Sequence, residues 1–416
     1  MNDTIRSFLR QEALRRFLKY VTIDTKSDPE SGTHPSTENQ WDLARLLEAE
    51  LIELGLESVC ISSTCFVYGT LPTNAENTNA PAITFCAHMD TSSSVSGKGV
   101  VPRVIENYDG SDIRFPDDPQ LVLTTKESPT LLSFVGDNLI TASGKTLLGA
   151  DDKAGIAEIM AVLAAFRKFP ELNHPDLKIV FTPDEEIGEG VDGIDLEKLA
   201  KIAFTMDGGM TGEYDVECFD AIGATIRFHG VNVHPGASKN RMVNAAAIAC
   251  RFLADLPESQ TPEHTENKEG FYHISKISGD ESLTEAILII RDFDHGINLQ
   301  RVDYLTKLVA AFHSRYPGLK IDLEIKEQYR NMKEILDQQP DIVEKLDQAI
   351  AMTGLTPKAA AIRGGTDGAR LSYMGVPTPN IFTGGQLYHS KKEWIAESAL
   401  QKAAEVIVNL CQLFQK

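Results

Sequence analysis

The chain has 416 residues, enough for two or three domains at roughly 100–200 residues each. Hydrophobic residues make up 42% and charged residues 24%, the balance of an ordinary globular protein. Acids outnumber bases 60 to 40, a formal charge of −20, which argues against nucleic acid or an anionic membrane as the main partner. No apolar run is long enough to cross a bilayer; the strongest, such as Ile287–Ile290, are strand-sized. Six scattered cysteines without a CxxC pair suit neither a disulfide framework nor a thiolate zinc site, and the expected setting is a reducing cytoplasm.

In chain order, Met1–Tyr20 reads as an opening helix. Its arginines hint at a transit peptide, but Asp3, Glu12 and the spacing of Ile5, Phe8, Leu9, Phe17 and Leu18 favour the helix. Asn39–Leu54 is an amphipathic helix that stops near Gly55. Ser62–Pro81 and Thr91–Asn138 are rich in turn formers and read as long connections or hairpins. Ala82–Ala87 is a compact apolar strand, Asp152–Phe169 a helix, and Leu177–Thr182 and Ile202–Met206 strands. This alternation predicts an α/β fold, a mixed central sheet flanked by helices.

After about Gly212 the order changes to β-α-β-β-α-β: Gly223–Val233, Met242–Leu256, Phe271–Ser278, Leu283–Phe293, Leu299–Tyr316 and Leu319–Glu327. That is a ferredoxin-like α+β pattern. Helices return at Asp341–Thr353 and Ile395–Gln415. The expected organisation is a discontinuous catalytic domain, residues 1–214 and 330–416, with a small domain inserted at 215–329.

The chemistry concentrates just after strands, at the edge where open α/β sheets bind ligands. His88 and Asp90 lie two apart and share a face. Alone they equally describe a polar strand end. Asp151 and Asp152 open a helix, where aspartate is a normal cap. Glu185-Glu186 also fits a solvated turn, and Asp207 and His389 follow further strands. Together, so many carboxylates on one edge are costly unless cations compensate. Two histidines with Asp151, Glu186 and Asp207 can bind two zinc ions, with Asp151 bridging; three carboxylates and a hydroxide would balance the metal charge. Glu185 is then free as general base.

The motifs resemble the dinuclear zinc aminoacylase/carboxypeptidase superfamily, and within it the peptidase T branch of tripeptide aminopeptidases. They are Ala87-His-Met-Asp90-Thr-Ser, Leu148-Gly-Ala-Asp-Asp-Lys-Ala-Gly155, Thr182-Pro-Asp-Glu-Glu-Ile-Gly-Glu-Gly190, Thr205-Met-Asp-Gly-Gly209, Gly230-Val-Asn-Val-His-Pro-Gly236, Ile290-Arg-Asp-Phe-Asp294 and Arg363-Gly-Gly-Thr-Asp-Gly-Ala-Arg370. Each is weak alone; in this order they are specific.

The resemblance implies that His88, Asp151 and Asp207 hold one zinc, and Asp151, Glu186 and His389 the other. It implies Glu185 as base, Asp90 as the partner behind His88, and a cis peptide between Asp151 and Asp152. Asp rather than Glu at Asp207 favours an aminopeptidase. The inserted domain would be a lid. On it, His234 would help stabilise the tetrahedral intermediate, the alternative being a turn residue. Arg291 would take the substrate's terminal carboxylate, the alternative being an ion pair with Asp292 or Asp294. Arg370 is either another anchor or a support for its loop. One departure stands at Gly384-Gly-Gln386-Leu-Tyr388-His389-Ser390, where the ligand is kept but its neighbours differ from the family's usual run. The expected activity is zinc-dependent release of the N-terminal residue from tripeptides. The competing expectations are a related zinc amide hydrolase acting on acylated amino acids or dipeptides, and a non-catalytic binding protein of the same fold. Expected partners are small peptides, not nucleic acid or membrane, with a homodimer left open.

Overall fold

The computed structural model describes residues 1–75 and 79–415. Glu76, Asn77 and Thr78, in the expected connection Ser62–Pro81, lie outside the described residues. The chain divides into two compact units. The larger comprises Met1–Val216, Glu334–Ala360 and Thr366–Lys416; the smaller comprises Glu217–Lys333 and Ala361–Gly365.

An eight-stranded sheet runs in the order Glu57–Ile61, Val67–Leu71, Leu177–Thr182, Ile83–His88, Ala203–Gly208, Asn380–Phe382, Glu213–Cys218, Lys358–Ile362. Its centre is parallel: Ile83–His88 pairs with Leu177–Thr182 and Ala203–Gly208, and the latter with Asn380–Phe382. Antiparallel strands flank that centre, so the sheet is mixed. Ile83–His88 is buried along its whole length, as a strand covered on both faces must be. Helix Ala150–Lys168 is likewise buried nearly all round, which explains why its sequence is apolar on more than one face. Helix Gln40–Leu54 ends on Gly55, whose φ of 86° is the left-handed cap that glycine supplies without strain.

Both stretches expected as long connections or hairpins hold hairpin strands: Glu57–Ile61 pairs antiparallel with Val67–Leu71, and Ile113–Phe115 with Asp118–Leu123. In Ser62–Pro81, Val67–Leu71 is a sheet strand buried at Val67, Tyr68 and Gly69. Thr91–Asn138 contains the strands Arg103–Ile105, Ile113–Phe115 and Asp118–Leu123. Turn-forming residues around these short strands hide them from any pattern count.

In the smaller unit four antiparallel strands lie in the order Phe271–Gly279, Leu283–Asp292, Asp220–His229, Lys320–Tyr329. With helices Ala245–Ala254 and His295–Arg315 this is the ferredoxin-like arrangement. Ile222, Ala224, Ile226 and Phe228 alternate inward and pack with Phe252, Leu305 and Phe312. The return of Ala361–Gly365 to this unit rests on the Phe219 N–H, which meets the Ile362 and Gly364 carbonyls at 3.1 and 3.2 Å.

Candidate metal centre

The parallel strands deliver their carboxyl ends to one edge of the larger unit. Ile83–His88 ends on His88, Leu177–Thr182 leads into Glu185 and Glu186, and Ala203–Gly208 carries Asp207. The start of helix Ala150–Lys168 brings Asp151, which has non-helical angles (φ −84°, ψ 104°). The Asp151–Asp152 peptide is cis. His389 comes from the loop after Asn380–Phe382 and has a φ of 58°.

Asp151 stands between the two histidines. Its Oδ1 lies 2.9 Å from His88 Nε2, and its Oδ2 lies 3.1 Å from His389 Nε2. His389 Nε2 also lies 3.0 Å from Glu186 Oε2, and His88 Nε2 lies 3.7 Å from Asp207 Oδ1. Glu185 Oε2 sits at 4.0 Å from His88 Nε2. Thus His88, Asp151, Glu185, Glu186, Asp207 and His389 converge at this edge of the sheet.

Asp90 is wholly buried behind them. Its backbone oxygen lies 3.0 Å and its Oδ1 3.3 Å from His88 Nδ1. The same carboxylate accepts the Glu185 and Glu186 N–H groups at 2.9 and 3.2 Å. It therefore braces both the histidine and the glutamate turn.

The electrostatics are those of a buried acidic cluster. Burial, with the charge of Asp207, pushes the Glu185 carboxyl well above the ordinary range. Burial and neighbouring Asp151 push Glu186 up to about 7. Asp207 is raised by burial. Burial opposes ionisation of Asp151 too, but His389 and His88 outweigh it and hold Asp151 low. Glu186 Oε1 is buried without a hydrogen-bond partner. Of three groups of donor atoms among the described residues that could each surround a cation, two include His88: His88 with Asp151 and Glu186, and His88 with Asp152 and Asp207. Asp152 is already spent on the backbone, accepting the His88 and Gly155 N–H groups at 3.1 and 3.2 Å. An orphaned carboxylate oxygen and imidazoles facing carboxylates fit divalent metal.

The other residues singled out from the sequence are distributed differently. Arg370 donates to the Gly188 carbonyl at 2.8 Å and pairs with Asp192. From helix Asp367–Tyr373 it is thus engaged with the segment that follows Glu185–Ile187. On the smaller unit, His234 caps its own turn, its Nδ1 accepting the Gly236 N–H at 3.1 Å. Arg291 does not pair with Asp292 or Asp294. Asp292 is taken by Arg301, and Asp294 caps the helix His295–Arg315. The Arg291 guanidinium donates to the Ile290 and Ile222 carbonyls at 3.0 and 3.3 Å and lies 5.4 Å from the Tyr329 ring centre. Burial lowers its affinity for a proton.

Sequence reasoning passed over Asp367 and Glu393. Asp367 is buried and accepts Thr182 Oγ1 at 2.7 Å. It stands inside a quoted motif, which was its signal. Glu393 has none, being a lone acid ahead of the apolar Trp394-Ile395-Ala396.

A parallel-centred α/β sheet with this donor cluster at its carboxyl edge offers a candidate metal site of the kind that open α/β sheets place there. The profile of peptidase family M20/M25/M40 matches residues 147–413, and the chain belongs to that family of peptidases. A peptidase T from Clostridium novyi is 46% identical over 98% of this chain and 100% of its own length. Two solved structures are similar in fold at a TM-score of 0.76. They are the aminopeptidase PepT of Bacillus cereus, 22% identical over 98% of this chain and 99% of its own, and a tripeptidase of Staphylococcus aureus, 20% identical over 98% of both. Among the described residues no helix is long and apolar enough to cross a membrane.

Proposed function

We propose that this peptidase is an aminopeptidase that removes the N-terminal residue of tripeptides and works with two zinc ions. The observation that carries the reading is Asp151, which offers one carboxylate oxygen toward each of two histidines. His88, Asp151 and Asp207 would hold one ion; Asp151, Glu186 and His389 would hold the other. Bound there, the pair would polarise the scissile carbonyl and lower the pKa of a water. Asp90 holds the His88 ring in orientation, as the partner of a metal-bound histidine does. Glu185, the carboxylate left over by this ligand count, takes a proton from the attacking water and returns it to the leaving amine. The tripeptide preference is supported by the name of the Staphylococcus aureus neighbour, a tripeptidase, and the aminopeptidase reading by the name of the Bacillus cereus neighbour and by Asp207, an aspartate where carboxypeptidases of the superfamily tend to have glutamate. His234 and Arg291 are proposed as substrate contacts, and Arg291 is supported by the lack of an ion pair with any carboxylate among the described residues, Asp220 acting on it only through longer-range charge. The proposed setting is the cytoplasm, consistent with cysteines that are all unbridged.

Hydrolysis of di-, tri- and tetrapeptides, free and N-blocked, with and without added zinc, tests the reading. Free tripeptides should be cleaved fastest, and only with metal. Preference for N-acylated substrates would favour the related amide hydrolase. No turnover of any of them with zinc bound would favour a binding protein.

A further inference from the structure

Glu393 stands four residues beyond His389, in the neck of the loop that carries that histidine. The neck is closed by Gln386 and Trp394, each donating its N–H to the other's carbonyl, at 2.8 and 3.1 Å. Trp394 is fully buried and pairs with Thr141 in a small separate sheet, so the neck is anchored to the frame. The loop is braced internally as well. Ser390 Oγ donates to the Leu387 carbonyl at 2.7 Å and accepts the Lys392 N–H at 3.1 Å.

From this anchored neck the Glu393 side chain, 1% exposed, reaches the turn that carries Asp151. Its Oε2 accepts the N–H groups of Leu148 and Gly149, both at 2.8 Å. Its Oε1 accepts those of Ala150 and Asp151 at 2.7 and 3.2 Å. These donors lie at and just before the start of helix Ala150–Lys168, which has no side-chain cap of its own. Unpaired N–H groups at a helix start favour an anion. Here the anion comes from a segment 242 residues further along the chain. One carboxylate thus ties the two pieces of backbone that present Asp151 and His389, whose side chains then meet at 3.1 Å.

We propose that Glu393 is a positioning residue for the metal centre, holding the His389 loop in register with the Asp151 turn. This rests on reading Asp151 and His389 as metal ligands. Both oxygens of Glu393 are already shared between two donors each, and a neutral amide cannot copy that. In Glu393→Gln the NH2 group would face two N–H donors, so half of the clamp is lost with almost no change of shape. In Glu393→Asp the charge stays but the reach is one methylene short.

The test is zinc titration of the metal-free full-length chain against a chromophoric chelator, with thermal melts of the same metal-free samples. The wild type should take up two ions. Glu393→Gln should melt in one cooperative transition and bind zinc roughly tenfold to a hundredfold more weakly, the usual cost of removing a group that orients a ligand. Glu393→Asp should also bind more weakly, by a smaller factor. Glu127→Gln, which breaks only the exposed pair with Lys392, is the control and should bind as the wild type does. Wild-type zinc affinity in either folded Glu393 variant overturns the proposal, even if its melting point has dropped. So does failure of both variants to fold, since Glu393 would then serve the fold alone. A wild type that binds no zinc would overturn the metal reading itself, and this inference with it.

Discussion

Asp90 accepts the backbone N–H of Glu185 at 2.9 Å, so the main chain of the proposed base is held without help from its own side chain. The other oxygen of Asp90 takes the N–H of Glu186 in the same way. A change at the Glu185 side chain should therefore leave Glu186, the adjacent proposed ligand, where it is. We expect Glu185→Gln to keep both zinc ions and to lose roughly 10²- to 10⁴-fold in kcat, the usual contribution of a positioned acid–base group. Metal content and turnover measured on one preparation check this. If that variant lost metal while Glu186→Gln kept it, the two roles would be exchanged.

Helix Ala150–Lys168, whose start carries Asp151, packs tightly on the strand that carries Asp207. A Cβ added at Gly155 would lie 2.3 Å from the Met206 carbonyl oxygen and 2.7 Å from its Cβ. Neither backbone can retreat without moving a proposed ligand. Gly155→Ala should cost about 1–3 kcal/mol of stability, as overpacking usually does. It should also weaken zinc binding, because Asp151 and Asp207 would be forced apart. Denaturant melts and zinc titration of the variant separate the two effects. Unchanged zinc affinity would mean that the strain is absorbed elsewhere.

Much of this site was legible because its residues fall just after strands whose apolar runs are unmistakable. Ile83–His88 and Leu177–Thr182 are both nearly continuous hydrophobic stretches, and the quoted motifs follow each directly. The antiparallel strands at the flanks were hidden for the opposite reason. Val67–Leu71 contains Gly69, whose missing side chain makes room for Leu51 and Leu56, and residues of that kind read as connection. Glu393 was illegible for a third reason. Its partners are backbone N–H groups far away in the chain, and backbone leaves no mark on sequence.

The metal-free site should make stability fall as pH rises. Burial moves Glu186 from 4.5 up to about 7, so in that window the folded state holds a proton that the unfolded chain has lost. Bonds from Asp151 and Glu186 move His389 from 6.5 up to about 10, and the folded state again binds the extra proton. When the folded state binds more protons, stability declines with pH across the window. Zinc competes with those same protons. The rise in melting temperature on adding zinc should therefore be larger at pH 8 than at pH 5.5. A rise that is equal at both, or greater at the lower pH, would count against a site built from these groups.

A tripeptide differs from longer peptides in having a carboxylate at a fixed distance from its first peptide bond. An enzyme that selects tripeptides needs a cation to read that distance. Arg291 is the better candidate because, among the residues described, its guanidinium forms no ion pair with a carboxylate; it bonds the Ile222 and Ile290 carbonyls and Tyr329, and Asp220 acts on it only through longer-range charge. Arg370 is committed to Asp192 and the Gly188 carbonyl. A planar guanidinium binds a carboxylate with two parallel bonds, and losing such a contact costs about 1.5–3 kcal/mol. Arg291→Ala should then lower kcat/KM for free tripeptides by roughly tenfold to a hundredfold while leaving tripeptide amides little changed. Arg370→Ala should lower both substrate types by the same factor, since a loosened loop does not distinguish a carboxylate from an amide. Equal losses for both substrates in Arg291→Ala would make that arginine structural, and discrimination in Arg370→Ala instead would move the carboxylate site there.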